Sequence, residues 1–358
     1  MSDGGSGTVR SLRFRGPGVV EPVTSVPAGL GAEDVRIAPS AVGVCGTDAH
    51  IVAGSFPAEV GVVLGHEVCG RVIERGSTVG DLPGAPEVGD LVTVEPHRYC
   101  TACRYCRAGQ EHLCAGKRGY GVRLDGGMTD QMVVPARIAY RLPERTVPWV
   151  GAMCEPVSCA IHGMDRLRVV SGEALLIYGC GPAGAILVAL ARLLGANPVV
   201  VMEPNPARRD LAHSMGADLT FDAADPDADA EARAVTGGDG FAAVIDAVGS
   251  ASVLERAVSM AARGGRVLEF GVAAPDDTAA VRPHELFSRE LTLLGSVINP
   301  YTHQRAVSVL PRLGLERLTP AFFELSEFEN ALRGQREGVA DKVFVAPRGV
   351  DVARGVTR

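Results

Sequence analysis

The sequence predicts an α/β protein in two parts, a β-rich domain followed by a doubly wound parallel sheet, and three observations predict it. The first half carries many short β-branched runs set between Gly and Pro, among them VRIAPSAVGVCG, EVCGRVIERG, DLVTVEPH and DQMVVPARIAYRLP. Such runs read as short strands joined by turns. From about Ala174 the pattern changes to strands alternating with helices, in units of the length a parallel sheet requires. The chain has 358 residues, more than one hydrophobic core usually organises, so two domains or one with a long insertion are expected.

In the second half, residues 175–178 form an apolar strand, 182–194 an Ala-rich helix and 198–202 a β-branched strand. A helix near 207–215, a strand at 241–246, a helix at 252–262 and strands at 266–270 and 291–294 continue the alternation. The acidic, Ala-rich stretch 222–234 reads as a solvated loop and helix face. Residues 297–346 return to mixed helix and strand, as a piece rejoining the first domain would, and the final RGVDVARGVTR reads as a loose tail. Residues 174–191 carry no charge and are long enough to span a bilayer. Their interior, Gly-Cys-Gly-Pro-Ala-Gly, breaks a continuous helix, so a buried strand, a tight turn and a buried helix explain the apolarity better.

Hydrophobic residues are 46% of the chain and charged residues 22%, an ordinary globular composition. The formal charge of −7 leaves no basic stripe for nucleic acid or an anionic membrane. Only Lys117 and Lys342 are lysines, which argues against Schiff-base catalysis. The N-terminal MSDGGSGTVRSLRFRG lacks the apolar core of a secretory signal, so a cytoplasmic location is expected. In a reducing compartment clustered thiols usually mean metal.

Gly179-Cys180-Gly181-Pro182-Ala183-Gly184 is a GxGxxG run between the strand LLIY and the helix PAGAILVALARLLG, the context a dinucleotide site requires. The first glycine permits a tight turn, the second lets a pyrophosphate approach the backbone, and the third allows close helix-to-sheet packing. Glu203 ends the next strand, 19 residues beyond Gly184. A carboxylate there favours the ribose of NAD over the 2′-phosphate of NADP, although Arg208 and Arg209 could accommodate that phosphate.

Cys100, Cys103, Cys106 and Cys114 give C-x2-C-x2-C-x7-C, a set that can close a tetrahedral structural zinc; disulfides and an iron–sulfur cluster are the alternatives. A second constellation is dispersed: Cys45-Gly46-Thr47-Asp48-Ala49-His50, Gly65-His66-Glu67, and Cys154-Glu155-Pro156. One thiolate, one imidazole and one or two carboxylates could leave an open position on a catalytic zinc.

With these motifs the chain resembles the zinc-containing medium-chain dehydrogenases/reductases, in particular the polyol branch of sorbitol, glucose and threonine dehydrogenases. CGTDAH, VLGHE, CTACRYCRAGQEHLC, CEPVSCAIHG, YGCGPAGAI and VVVMEPNPARRDLA occur in that family's order, and the similarity runs from about residue 10 to residue 347. The resemblance implies a GroES-like catalytic domain over 1–155 and 296–358 and a Rossmann NAD-binding domain over 156–295.

It further implies that Cys45 and His66 are zinc ligands and that Glu67 and Glu155 are carboxylates able to reach the metal, with Cys154 a competing candidate beside Glu155. Asp48 resembles the acid that orients the ligating histidine. Thr47 and His50 resemble a proton relay from the alcohol to solvent. Pro182, Ala183, Glu203, Arg208, Phe270-Gly271-Val272 and Ser296-Val297 match cofactor contacts. The implied cofactors are one catalytic and one structural zinc, with NAD favoured over NADP. The implied substrate is a small polyol, sugar or cyclitol, with an aminocyclitol or L-threonine as alternatives, and a homodimer or homotetramer is expected. Tyr120, Asn299 and Thr302 are polar candidates near such a substrate. A homologue that binds nucleotide without catalysis is the reading from a different class, and the presence of Cys45, Thr47, His50, His66 and Glu155 weighs against it.

Overall fold

The computed structural model of the chain describes residues 7–356. They fold into two compact units. The first extends to Glu155 and resumes at His303–Leu310 and again at Thr319; the second comprises Pro156–Thr302 and Pro311–Leu318.

The first unit is built on a seven-stranded sheet. Pro320–Phe323, Lys342–Val345, Asp34–Gly43, Glu67–Arg75, Leu91–Val94 and Ala139–Arg141 lie side by side in that order, and Met132–Pro135 also pairs with Asp34–Gly43. Asp34–Gly43 is almost wholly buried because it is central and both its faces meet apolar side chains. A separate hairpin joins Val9–Gly16 to Val19–Ser25. Register decides what the sheet can do chemically. Gly43 is the partner of both Glu67 and Phe344, so the ends of three strands converge there, one of them drawn from the far end of the chain. Beyond Gly43 the chain turns into the helix Gly46–Ala53, with Cys45 extended at its N-cap (φ −103°).

The second unit holds a six-stranded parallel sheet in the order Leu219–Phe221, Val199–Met202, Leu175–Tyr178, Phe241–Asp246, Ala261–Glu269, Thr292–Gly295. Numbered along the chain this is 3-2-1-4-5-6, the doubly wound order that reverses beside the first strand. Met202, Tyr178, Asp246, Glu269 and Gly295 form one row across its carboxyl edge. The helix Pro182–Leu194 follows the first strand and starts with proline, whose fixed φ and missing N–H suit that position.

Three elements, 175–178, 182–194 and 241–246, lie where the sequence pattern put them. The helix expected over 252–262 ends at Met260 and the fifth strand begins earlier than expected, at Ala261, with an irregular register opposite Phe241 and Ala243 and Gly264 at φ +71°. The expected loose tail is corrected as far as it is described. Val350–Ala353 forms a helical turn, Ala353 is fully buried, and the Arg354 guanidinium lies 5.3 Å from the centre of the Phe322 ring. One alanine and one stacked arginine carry that docking, too little apolar signal to read from RGVDVARG. Among the described residues no helix is long and apolar enough to cross a membrane.

Candidate active site

Four thiols meet on one loop. Cys103 caps the short helix Arg104–Arg107, Cys106 sits within it, and Cys114 follows the turn Glu111–Leu113. Their sulfurs and that of Cys100 all lie within 4.8 Å of one another, with Cys103–Cys106 at 3.6 Å and Cys100–Cys106 at 3.9 Å. A disulfide needs about 2.05 Å. A tetrahedral ion with bonds of about 2.3 Å holds its sulfurs about 3.8 Å apart, which these spacings match. The backbone N–H groups of Ala102 and Cys103 lower the Cys100 thiol to about 6, while burial and neighbouring thiols push Cys106 up to about 12. The loop therefore fits a closed zinc site.

The dispersed constellation also comes together. A ligand atom from each of Cys45, His66 and Glu67 lies within 4.8 Å of the others. Sequence reasoning missed the group that balances them. Lys342 opens the antiparallel neighbour of Asp34–Gly43, and its Nζ sits 2.8 Å from Oε1 and 2.6 Å from Oε2 of Glu67, with side chains only 6% and 1% exposed. Burial works against the lysine charge, but Glu67 and Cys45 outweigh it and hold the amine above its usual range. Gly43 is required beside them, since a Cβ there would strike the Glu67 carboxylate.

Asp48 is fully buried. Its Oδ2 accepts the Cys45 N–H at 2.9 Å, and its Oδ1 lies 3.7 Å from His66 Nδ1, where its charge favours a proton on the ring. Burial opposes protonation of His66, yet Asp48, Cys45 and Glu155 together hold it well above the ordinary imidazole range. Thr47 Oγ1 is 3.8 Å from Cys45 Sγ. His50, three residues on, is exposed with Nδ1 3.1 Å from Ser55 Oγ. Glu155 stands in the first turn of the helix Cys154–Leu167, 7% exposed, and its charge is felt by both His66 and Lys342. Cys154 is fully buried, hydrogen bonds to Thr93, and is raised far above the usual thiol range by burial. Thr93 also binds His303 Nε2 at 3.2 Å, a histidine whose burial lowers it to about 3.

In the second unit the glycine run forms the turn its residues demand. Gly179 takes φ +89°, and a Cβ on Gly184 would collide with the Gly179 carbonyl. Gly181 caps the helix that Pro182, Ala183 and Gly184 open. Glu203 is 3% exposed and accepts two backbone N–H groups, Cys180 at 2.8 Å on Oε2 and Asn205 at 2.9 Å on Oε1, so it ties the turn to the second strand. Arg209 donates to the carbonyls of Glu203 and Pro204 and faces Asp222 at 3.3 Å. Arg208 makes only a backbone bond, to the Asn205 side chain, leaving its guanidinium without an acceptor among the described residues. Phe270 and Gly271 donate their N–H groups to the Asp246 carbonyl and Ser296 to that of Glu269, leaving Val272 and Val297 exposed.

The three polar candidates for substrate contact sit in packed surroundings. Tyr120 is 5% exposed in the apolar core of the first unit. Asn299 donates to Ser158 Oγ and Thr302 to the Ser158 carbonyl, both at 2.7 Å, pinning their loop to the helix Cys154–Leu167.

Comparison with known proteins gives the family. Residues 31–144 match the alcohol dehydrogenase GroES-like domain and residues 182–312 the zinc-binding dehydrogenase domain. The chain is 35% identical to L-threonine 3-dehydrogenase of Pyrococcus abyssi over 68% of its length and 69% of that protein. It is 30% identical to D-arabinitol dehydrogenase 1 of Uromyces fabae over 88% of its length and 90% of the relative. A solved structure described as a zinc-binding dehydrogenase of Sinorhizobium meliloti, bound to NADP, superposes with a TM-score of 0.90 at 32% identity, covering 95% of this chain and all of that one. Fold and site thus define a zinc-dependent alcohol dehydrogenase. The chain belongs to the zinc-binding medium-chain dehydrogenases/reductases, in their polyol and threonine branch.

Proposed function

We propose that this enzyme oxidises a secondary alcohol of a polyol, sugar or cyclitol to the ketone, reversibly, with NAD as hydride acceptor. The observation that carries the reading is the cluster of half-buried Cys45 with His66 and buried Glu67, with Thr47 and exposed His50 on the adjoining helix. Cys45 and His66, with Glu67 and Glu155 nearby, are the residues that would hold the catalytic zinc, whose chemistry when bound is to polarise an alcohol oxygen. Nicotinamide supplies hydride acceptance.

The chain's own residues do the rest. Asp48 fixes the Cys45 backbone through its N–H and sets a carboxylate charge 3.7 Å from the His66 ring. Lys342 neutralises Glu67, which would otherwise stand as an unpaired buried charge. In this reading the Thr47 hydroxyl, 3.8 Å from Cys45 Sγ, accepts the alcohol proton at Oγ1 as it gives up its own, and His50, hydrogen bonded to Ser55 at the surface, releases a proton to water. A ring or chain bearing several hydroxyls suits a site with carboxylates among its donors. The 35% identity to a threonine dehydrogenase keeps L-threonine as the second reading.

The decisive experiment follows NADH formation with polyols, sugars, cyclitols and amino alcohols, with and without a zinc chelator. Turnover of a polyol or cyclitol that the chelator abolishes is expected. Turnover of threonine alone would select the second reading, and turnover in enzyme stripped of zinc would overturn the mechanism.

The preference for NAD rests on Glu203, an anchored carboxylate at the second strand's end, and on Arg209, whose guanidinium is already committed to two carbonyls and Asp222. Arg208 alone is left to meet a 2′-phosphate. Glu203→Ala is expected to weaken NAD about tenfold or more, the scale of hydrogen bonds to a charged group, and to narrow its advantage over NADP. An unchanged ratio of the two affinities would place the ribose contact elsewhere.

A further inference from the structure

We propose that Asp246 and Glu269 share a single proton, and that this proton sets how tightly the second unit holds the reduced dinucleotide. The inference rests on the reading of that unit as the dinucleotide domain.

The two residues end adjacent parallel strands and are direct partners in register. Strand alternation puts Asp246 on the face of Val244 and Glu269 on the face of Val267, and both valines belong to one apolar cluster. Two carboxyls are therefore side by side on the core face of the sheet. Asp246 is fully buried. Its Oδ1 accepts the N–H groups of Val248 at 2.7 Å and Gly249 at 2.9 Å. Asp246 Oδ2 and Glu269 Oε2 are both buried and receive no donor. Glu269 as a whole is half-buried, but two neighbouring acceptor oxygens that are both shielded from solvent repel unless a proton lies between them.

Among the described residues, the cations on the elements packed against the pair are engaged elsewhere. The Tyr178 hydroxyl, next in the row, donates to Asp229, and Arg256 on the helix Ala251–Met260 is paired with Asp229 as well. Glu255 on the same helix accepts the Ala280 N–H. The flanking strand Thr292–Gly295 has no ionisable side chain. On the helix Pro283–Arg289, His284 is exposed, while Glu285 lies 3.6 Å from Arg289, which donates to the Ser259 and Ala261 carbonyls. Burial first, then the charge and hydrogen bond of Asp246, raise the Glu269 carboxyl from 4.5 to about 7, in keeping with a retained proton.

The pair sits where it can be felt by a cofactor. The Asp246 carbonyl anchors Phe270 and Gly271, the Glu269 carbonyl anchors Ser296, and Gly271 is packed so closely on Gly249 that a Cβ would strike its nitrogen. These are the segments that bear the expected cofactor contacts. Loss of the proton adds a second anion, half-buried, beneath them and sets two carboxylates in repulsion. Both effects oppose a ligand that carries a pyrophosphate.

The test uses the zinc-loaded enzyme and Glu269→Gln, whose amide can donate to Asp246 at every pH. NADH binding, followed by its fluorescence, is expected to weaken about three- to tenfold in the wild type between pH 6 and 8.5, up to one pKa unit of linkage. In Glu269→Gln it is expected to stay flat. Melting without nucleotide is the second arm. Since the folded carboxyl keeps its proton to about pH 7 and the unfolded one only to about 4.5, the stability it contributes is present at low pH and lost as pH rises through that window. The wild type should therefore melt progressively below Glu269→Gln from pH 5 to 8. Parallel pH profiles of the two proteins in both arms would overturn the proposal. Failure of NADH to bind at any pH would instead remove the dinucleotide reading, and the melting arm would still decide the shared proton.

Discussion

Cys45→Ala is expected to abolish turnover and to halve the zinc content from two ions per chain to one, while leaving the fold intact. The first part follows from the donor set. Cys45 supplies the only sulfur in its cluster, and without it His66 and the carboxylates must hold the ion alone. A Lewis acid contributes several kcal/mol to stabilising developing charge, and each 1.36 kcal/mol is tenfold, so a fall of about a thousandfold or more is expected. The second part follows from the backbone. The bond that organises the helix start runs from the Cys45 N–H to Asp48, and alanine keeps it. The side chain is only half-buried, so little apolar contact is lost. Zinc analysis and melting on the same preparation separate the two parts. Near-normal activity in a protein with one zinc would remove Cys45 from the site.

The parts of this molecule that could be read from the sequence are those in which neighbours along the chain carry the chemistry. The four-cysteine loop and the glycine turn are local: spacing alone brings the sulfurs together, and a strand, a turn and a helix in succession make the nucleotide loop. Glu203 was legible as an acid at a strand end, but its two backbone bonds were not, because the turn must close before Cys180 can reach it. The partner of Lys342 was hidden. It is 275 residues away, and the contact exists only because the last strand pairs with Asp34–Gly43 in one register. A signal was nevertheless present, since one of only two lysines in the chain opens the otherwise apolar run KVFV. A charge at the start of a buried strand needs a partner, and a carboxylate is the natural one. Asn299 and Thr302 show the reverse case, polar residues that invite a substrate role while their hydrogen bonds go to Ser158.

Lys342→Met is expected to cost more stability than any surface change, because it strands the Glu67 carboxylate. Both side chains are almost completely excluded from water, and the ammonium contacts both carboxylate oxygens. Removing one member of such a pair typically costs about 3–5 kcal/mol, since the survivor keeps its desolvation penalty and loses its counter-charge. In a chain of this size that corresponds to a drop in Tm of about 5 °C. The bulk of methionine is close enough to lysine that a cavity should not confuse the result. A second variant distinguishes charge from packing. Glu67→Gln in the Lys342→Met background removes the stranded charge, and most of the lost stability should return, a coupling that the double-mutant cycle reads directly. Recovery of melting without recovery of turnover would assign Lys342 to holding Glu67 and Glu67 to the metal site. If Lys342→Met alone melts with the wild type, the pair is not the counter-charge arrangement that the sheet register builds.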